Sequence, residues 1–264
     1  MKQRVITAII ALLIFIPVLL AGGMWIDWLA AILAAVGISE VFLMKKQILV
    51  SVDFTLACLA TLTWTVPSAF FSFLPPHWSK WGIFYALVML LLTWTVLSKN
   101  KTTFDDIGVY VLSSLYIGTG FHYLAALRNS GTYGLWRILF AFVIVWTTDT
   151  AAYMVGRKLG KHKLWPVISP NKTWEGSIGA VIIAVIVSAI YVNFVPMGAD
   201  KTTLIIASFF LSIVGQMGDL VESAYKRFYG VKDSGKILPG HGGILDRFDS
   251  TLFVLPIVAL IFGI

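Results

Sequence analysis

Leu135–Val155 reads LWRILFAFVIVWTTDTAAYMV, a run of 21 residues that is apolar almost throughout and yet carries Asp149 near its end. A hydrocarbon core about 30 Å thick takes roughly 20 residues of α-helix, so this run has the length of a membrane span. Eight further apolar runs flank it: Val5–Leu20, Trp25–Leu43, Leu49–Leu74, Trp81–Leu97, Ile107–Leu127, Ile178–Phe194, Leu204–Val221 and Leu245–Ile264. The 264-residue chain is 58% hydrophobic and 12% charged, with mean hydropathy +0.87, whereas an average soluble protein is about 25% charged. These features predict an all-α, polytopic integral membrane protein with about nine transmembrane helices.

The beginning, MKQRVITAIIALLIFIPVLLAGG, reads as a retained first helix, with a cleaved signal peptide as the alternative. Cys58 is the single cysteine; it falls inside the third run, so an intramolecular disulfide is excluded and core packing is expected. Net charge +7 does not imply nucleic acid, because the placement of the basic residues is what matters. With nine spans and the amino terminus in the cytoplasm, only Lys80, Arg128, Arg137 and Lys201 of the 20 Lys and Arg residues fall outside. That asymmetry follows the positive-inside rule. It places the two large polar segments, Arg157–Glu175 and Glu222–Gly243, on the cytoplasmic face. No internal repeat or soluble linker interrupts the chain. It is expected to form one integrated membrane domain, with residues 1–130 as a scaffold carrying possible dimer contacts and residues 131–264 as the catalytic region.

Asp149 and Asp219 sit late in the sixth and eighth runs with no neutralising neighbour in sequence. Ionisable residues at membrane depth are costly and usually face a wet cavity where they serve an ion or a substrate; pairing with a Lys or Arg to hold helices together is the other reading. Asp219, Glu222 and Ser223 follow i, i+3, i+4 spacing and share one helix face. Asp246 and Asp249 repeat the i, i+3 step at the start of the last run. Carboxylates from two helix ends, with no Cys or His cluster, point to Mg²⁺, which keeps waters and shares its remaining positions with phosphates.

Between these acids the stretch Gly218–Asp249, GDLVESAYKRFYGVKDSGKILPGHGGILDRFD, interleaves Lys226, Arg227, Lys232, Asp233 and Lys236 with glycines. Cations neutralise phosphates, and glycines let backbone amides approach their oxygens. The pattern is not a P-loop, since GxxxxGK[ST] does not occur. His241 reads either as a loop histidine satisfied by backbone or as a catalytic or orienting group. The earlier segment, Gly156–Gly176, has the same vocabulary and reads as the other wall of the site. There Ser169 or Asn171 is a candidate cap for the next helix as well as a candidate ligand, Thr173 and Glu175 stand where that helix begins, and Lys172 is hard to explain as a cap.

The spacing Ser223-x-x-Lys226-Arg227-x4-Lys232-Asp233-x-Gly235-x3-Pro239-x-His241-Gly242-Gly243-x-x-Asp246-Arg247-x-Asp249 resembles the signature of the phosphatidate cytidylyltransferases, or CDP-diacylglycerol synthases. The segment Thr148–Gly176, with TDTAAYMVGRKLGKHKL and ISPNKTWEG, resembles the same family, so the likeness covers about the last 120 residues. Tyr225 departs from the residue more usual there, at a position without a catalytic role. The resemblance implies the reaction CTP + phosphatidic acid → CDP-diacylglycerol + pyrophosphate at the inner membrane face, with Mg²⁺, a monovalent cation such as K⁺, and a homodimer. Carried over by position, Asp219 and Asp246 are metal carboxylates, Asp249 an auxiliary metal group, and Lys226 and Arg227 phosphate-binding cations. Asp149, Lys172, Ser223, Lys232, Asp233, His241 and Arg247 match family positions, and Ser169, Asn171, Gly242 and Gly243 complete the candidate substrate contacts.

The inventory fits this chemistry, because an anionic lipid phosphate needs charge neutralisation and in-line placement more than it needs a strong base. The alternatives are a CTP-dependent polyprenol or lipid kinase, which would release CDP, and an ion-coupled transporter, which would use the buried acids without turning over nucleotide.

Overall fold

A computed structural model describes residues 2–75 and 78–264. The side chains of Lys2 and Arg4, which count on the inner side of the charge asymmetry, lie outside the described residues. Each of the nine apolar runs becomes a helix: α1 Lys2–Ala21, α2 Met24–Met44, α3 Val52–Thr65, α4 Lys80–Leu97, α5 Phe104–Arg128, α6 Gly134–Leu159, α7 Trp174–Phe194, α8 Lys201–Phe228 and α9 Leu245–Phe262. In an apolar medium the backbone must satisfy its own hydrogen bonds, which makes helix the default for such runs. Among the described residues five of them, α2, α4, α6, α7 and α8, are long and apolar enough to cross a membrane.

Three local expectations are corrected. The run Leu49–Leu74 is not one helix, because α3 stops at Thr65 and a single 3-10 turn follows at Ser68–Phe71. Val66 is extended, at φ −73° and ψ 148°, as a residue preceding proline prefers, and Pro67 comes next. The polar segment after α6 adds strand to a chain expected to be all-α: β1 Lys163–Trp165 and β2 Ser169–Thr173 form an antiparallel hairpin with Lys163 opposite Thr173 and Trp165 opposite Ser169. Neither Ser169 nor Asn171 caps the next helix; Thr173 does, its side chain accepting from Gly176 N at 3.1 Å. The hairpin's connection back to α6 is held by Glu175, which accepts from Lys161 N and His162 N and meets His162 Nδ1 at 2.6 Å.

Two compact units divide the chain, Met1–Ala125 with Asp233–Arg247 and Ala126–Lys232 with Phe248–Ile264. In lipid, helices gain little from burying more apolar surface, so close backbone approach and interhelical hydrogen bonds hold them. The first unit shows both. A Cβ on Gly118 of α5 would stand 2.8 Å from Thr61 O of α3, and Thr61 Oγ1 donates to Ser114 Oγ at 3.0 Å. Phe42 of α2 stacks on Tyr110 of α5 at 4.1 Å, and Lys45 pairs with Asp106 at 2.7 Å. In the second unit α6 and α7 meet through Gly156, Gly176 and Gly179, where a Cβ on Gly179 would lie 2.7 Å from Val155 Cγ1.

Candidate functional site

In the second unit α6 sets Asp149, Ala152 and Tyr153 on one face, one turn apart. They line a cavity of about 200 Å³ together with Asn171, Lys172 and Thr173 of β2, Gly176 and Ser177 of α7, and Gln216 and Asp219 of α8. The hairpin brings Lys172 here: its Nζ pairs with Asp219 Oδ2 at 2.7 Å and reaches Gln216 O at 3.5 Å. Ser223 Oγ donates to Asp219 Oδ1 at 3.2 Å, so both oxygens of Asp219 are engaged. Thr148 and Ser212 hydroxyls, 2.9 Å apart, tie α6 to α8 one residue before Asp149.

Gly218 decides where Asp249 stands. A Cβ there would lie 2.8 Å from Asp249 O and 3.1 Å from Phe253 Cβ, so α8 and α9 touch through backbone at that level. That contact sets the start of α9, and with it Asp249, beside the α8 turn that carries Asp219. Lys226 forms an ion pair with buried Glu222 one turn earlier. Four carboxylates, Asp149, Asp219, Glu222 and Asp249, belong to this part of the second unit with two ammonium groups, of which Lys172 pairs with Asp219 and Lys226 with Glu222. The excess of anionic oxygen is of the kind a hard divalent cation offsets. Arg227 and Lys232 are exposed, and Arg227 Nη1 donates to Val231 O at 3.1 Å. Ser169 pairs across the hairpin with Trp165 and does not line the cavity.

In the first unit the glycine-rich loop folds around Asp246. Asp246 Oδ2 accepts from Ser234 N at 2.8 Å and Gly243 N at 2.8 Å, and the Ser234 hydroxyl lies 3.0 Å from the same oxygen. Gly242 has φ +82°, which a side chain disfavours, and a Cβ there would run into Asp246 Oδ2. Arg247 Nε donates to His241 O at 3.1 Å, while His241 Nδ1 is buried without a hydrogen-bond partner among the described residues. Asp233 and Lys236 are exposed.

Among the described residues no group of three or more His, Cys, Asp or Glu side chains is drawn close enough to hold a metal ion ready-made. A larger groove of about 690 Å³ runs along α6 against Ile183 of α7, past Trp146, Thr150, Met154 and Lys158. It carries one charged group and no carboxylate, so it is suited to apolar chains and not to phosphate chemistry.

Sequence reasoning did not reach Gln216 or Tyr153 in the cavity, nor Glu40 in the first unit. Glu40 carried the same signal as Asp149, an acid inside an apolar run.

The cytidylyltransferase family profile matches residues 2–264. The chain is similar to the phosphatidate cytidylyltransferase of Bacillus subtilis (strain 168), 46% identical over 256 residues that cover 97% of this chain and 95% of the relative. It is 48% identical over 261 residues to that of Staphylococcus haemolyticus (strain JCSC1435), covering 99% of this chain and 98% of the relative. To that of Staphylococcus aureus (strain COL) it is 44% identical over 267 aligned positions, with the same coverage of 99% and 98%. The segments that build the charged cavity and the loop around Asp246 lie within these matches, and the chain belongs to the cytidylyltransferase family.

Proposed function

We propose that the chain transfers the cytidylyl group of CTP to phosphatidic acid, giving CDP-diacylglycerol and pyrophosphate. The observation that carries this reading is the carboxylate and lysine cavity between α6, β2 and α8, in a chain similar over nearly its whole length to phosphatidate cytidylyltransferases. A phosphate oxygen of the lipid bonds to the α-phosphorus of CTP as the bond from that phosphorus to the bridging oxygen breaks, and the electron pair leaves with pyrophosphate. The lipid phosphate is already anionic near neutral pH, so no strong base is required.

Lys172 and Lys226 each rest on a carboxylate, Asp219 and Glu222, and turn to phosphate oxygens when substrate enters. Arg227, exposed in the last turn of α8, Lys232, exposed just beyond it, and Arg247 meet the outer phosphates. Asn171, Ser223, Asp149 and Asp233 orient the substrates, and the Gly242-Gly243 backbone and His241 flank the leaving group. The family resemblance assigns Asp219, Asp246 and Asp249 to Mg²⁺, and carboxylate oxygens are the donors that ion prefers; when bound, the ion would neutralise phosphate charge as a Lewis acid.

Nine spans with a cytoplasmic amino terminus and a cytoplasmic site are supported by the helix that forms in each of the nine apolar runs among the described residues, five of them long and apolar enough to cross, and by the one-sided basic residues. Residues 131–264 carry the reaction and residues 1–130 the scaffold, and the family resemblance supports a homodimer. The groove along α6 accepts acyl chains.

The test is purified protein with radiolabelled CTP, phosphatidic acid and Mg²⁺, with Asp219→Ala as control. Label in CDP-diacylglycerol that disappears in the variant is expected. Phosphorylated lipid with free CDP would make the protein a kinase, and vesicle ion uptake without nucleotide turnover would make it a transporter.

A further inference from the structure

Glu40 lies in α2, about 200 residues before the loop it touches, and is 2% exposed. Its carboxylate accepts three hydrogen bonds from that loop: from Ile244 N at 2.6 Å, Leu245 N at 2.9 Å and Ser234 Oγ at 2.8 Å. The two amides belong to the start of α9, where a helix leaves its first N–H groups without internal partners and presents the positive end of its dipole. Ser234 extends the contact, because its hydroxyl is also 3.0 Å from Asp246 Oδ2 and its N–H donates to the same oxygen at 2.8 Å.

The loop glycines are shaped to this carboxylate. A Cβ on Gly235 would stand 2.8 Å from Glu40 Oε1, and one on Gly243 would overlap both Glu40 oxygens and the Ser234 hydroxyl. Gly37, one turn before Glu40, lets α2 approach the Leu245 side chain, which a Cβ there would meet at 3.2 Å. A carboxylate that served only to join helices would need one partner, whereas this one holds both ends of the segment between Ser234 and Leu245.

We propose that Glu40 is a positioning residue for the transfer reaction: through Ser234 and the first amides of α9 it sets where Asp246 and the Gly242-Gly243 turn stand. The inference rests on the assignment of Asp246 to that reaction.

Full-length Glu40→Gln, Glu40→Asp, Ser234→Ala and Asp246→Ala in detergent are compared by thermal midpoint, amide exchange over residues 233–245, Mn²⁺ binding by electron paramagnetic resonance, and kcat and KM for each substrate. Glu40→Gln removes the charge and places an amide NH2 against one of the two backbone donors, Ile244 N or Leu245 N, which bond different carboxylate oxygens. The expected result is a fold retained by thermal midpoint, faster exchange at one or both of those amides, weaker Mn²⁺ binding, and kcat down by about tenfold or more, with KM for phosphatidic acid unchanged. Glu40→Asp keeps the charge and is expected to recover part of kcat.

Wild-type kcat and Mn²⁺ binding in Glu40→Gln, beside an inactive Asp246→Ala, overturn the proposal. If Glu40→Gln does not fold, Ser234→Ala decides, since it removes the hydroxyl that joins Glu40 to the segment holding Asp246 and leaves the Ile244 and Leu245 bonds to Glu40 and the Ser234 N–H bond to Asp246; wild-type kinetics there overturn it. An active Asp246→Ala removes Asp246 from the reaction itself, and that failure is told apart from the first by the Asp246 variant alone.

Discussion

Replacing Gly218 by alanine would place a Cβ 2.8 Å from the Asp249 carbonyl oxygen and 3.1 Å from Phe253 Cβ and Cδ2. Ordinary contact begins near 3.4 Å, so α8 and α9 must part by about 0.6 Å at that level. Neither obstacle is a flexible side-chain end, and the strain has to be taken up by the backbone, at about 1–3 kcal/mol for an overpacked site. Asp219 is the next residue on α8, and the shift therefore moves two carboxylates apart. A misplacement of about 1 Å costs up to 100-fold in rate, so about 0.6 Å predicts a fall in kcat on the order of tenfold, equivalent to about 1.4 kcal/mol. The assay is steady-state CDP-diacylglycerol formation with a thermal midpoint measured on the same preparation. Gly108→Ala in α5 is the control, because a Cβ there meets nothing within 4 Å. Unchanged kcat in Gly218→Ala would refute the claim that this backbone contact places Asp249. A lowered midpoint with unchanged kcat would reduce Gly218 to packing.

Lys172→Met removes the charge 2.7 Å from Asp219 Oδ2; the two side chains are 21% and 30% exposed, so water tempers the loss to about 1–3 kcal/mol. CTP turnover is expected to fall roughly five- to 100-fold, and a Lys172→Arg variant that matches Lys172→Met would show that more than charge is needed. Lys226→Ala leaves Glu222 buried without its ion-pair partner, so stability should fall by about 3–5 kcal/mol. The double variant Lys226→Met/Glu222→Gln should regain stability but keep a raised KM for CTP; a normal KM would take Lys226 out of phosphate binding. Asp219→Asn and Asp246→Asn should each lose turnover while folding normally, and retention of Mg²⁺-dependent activity in either would remove that residue from the metal site.

The helices were legible because what makes them is local. An apolar run of about 20 residues has to satisfy its own backbone, and the nine runs each contain a helix for that reason. Even the one misread run held its own correction in Val66-Pro67, whose geometry ends α3. Acids in apolar surroundings were equally legible at Asp149 and Asp219, since their cost is a property of the residue and its medium. The same argument applies to Glu40 in GISEVFLM, which shows how a signal is passed over when no motif stands beside it.

The sequence by itself determined the membrane class, the helix content and, through spacing, the residues from Ser223 to Asp249 that belong to one family pattern. Only the tertiary structure decided which partner each charge takes: Lys172 on Asp219, Lys226 on Glu222, Glu40 on Ser234 and the start of α9. Spacing of three or four residues made the Glu222–Lys226 pair possible, but the other pairings join positions some 47 to 205 residues apart. Such contacts depend on how closely helices approach, which small residues such as Gly218 and Gly37 permit, and no local period in the chain encodes that distance.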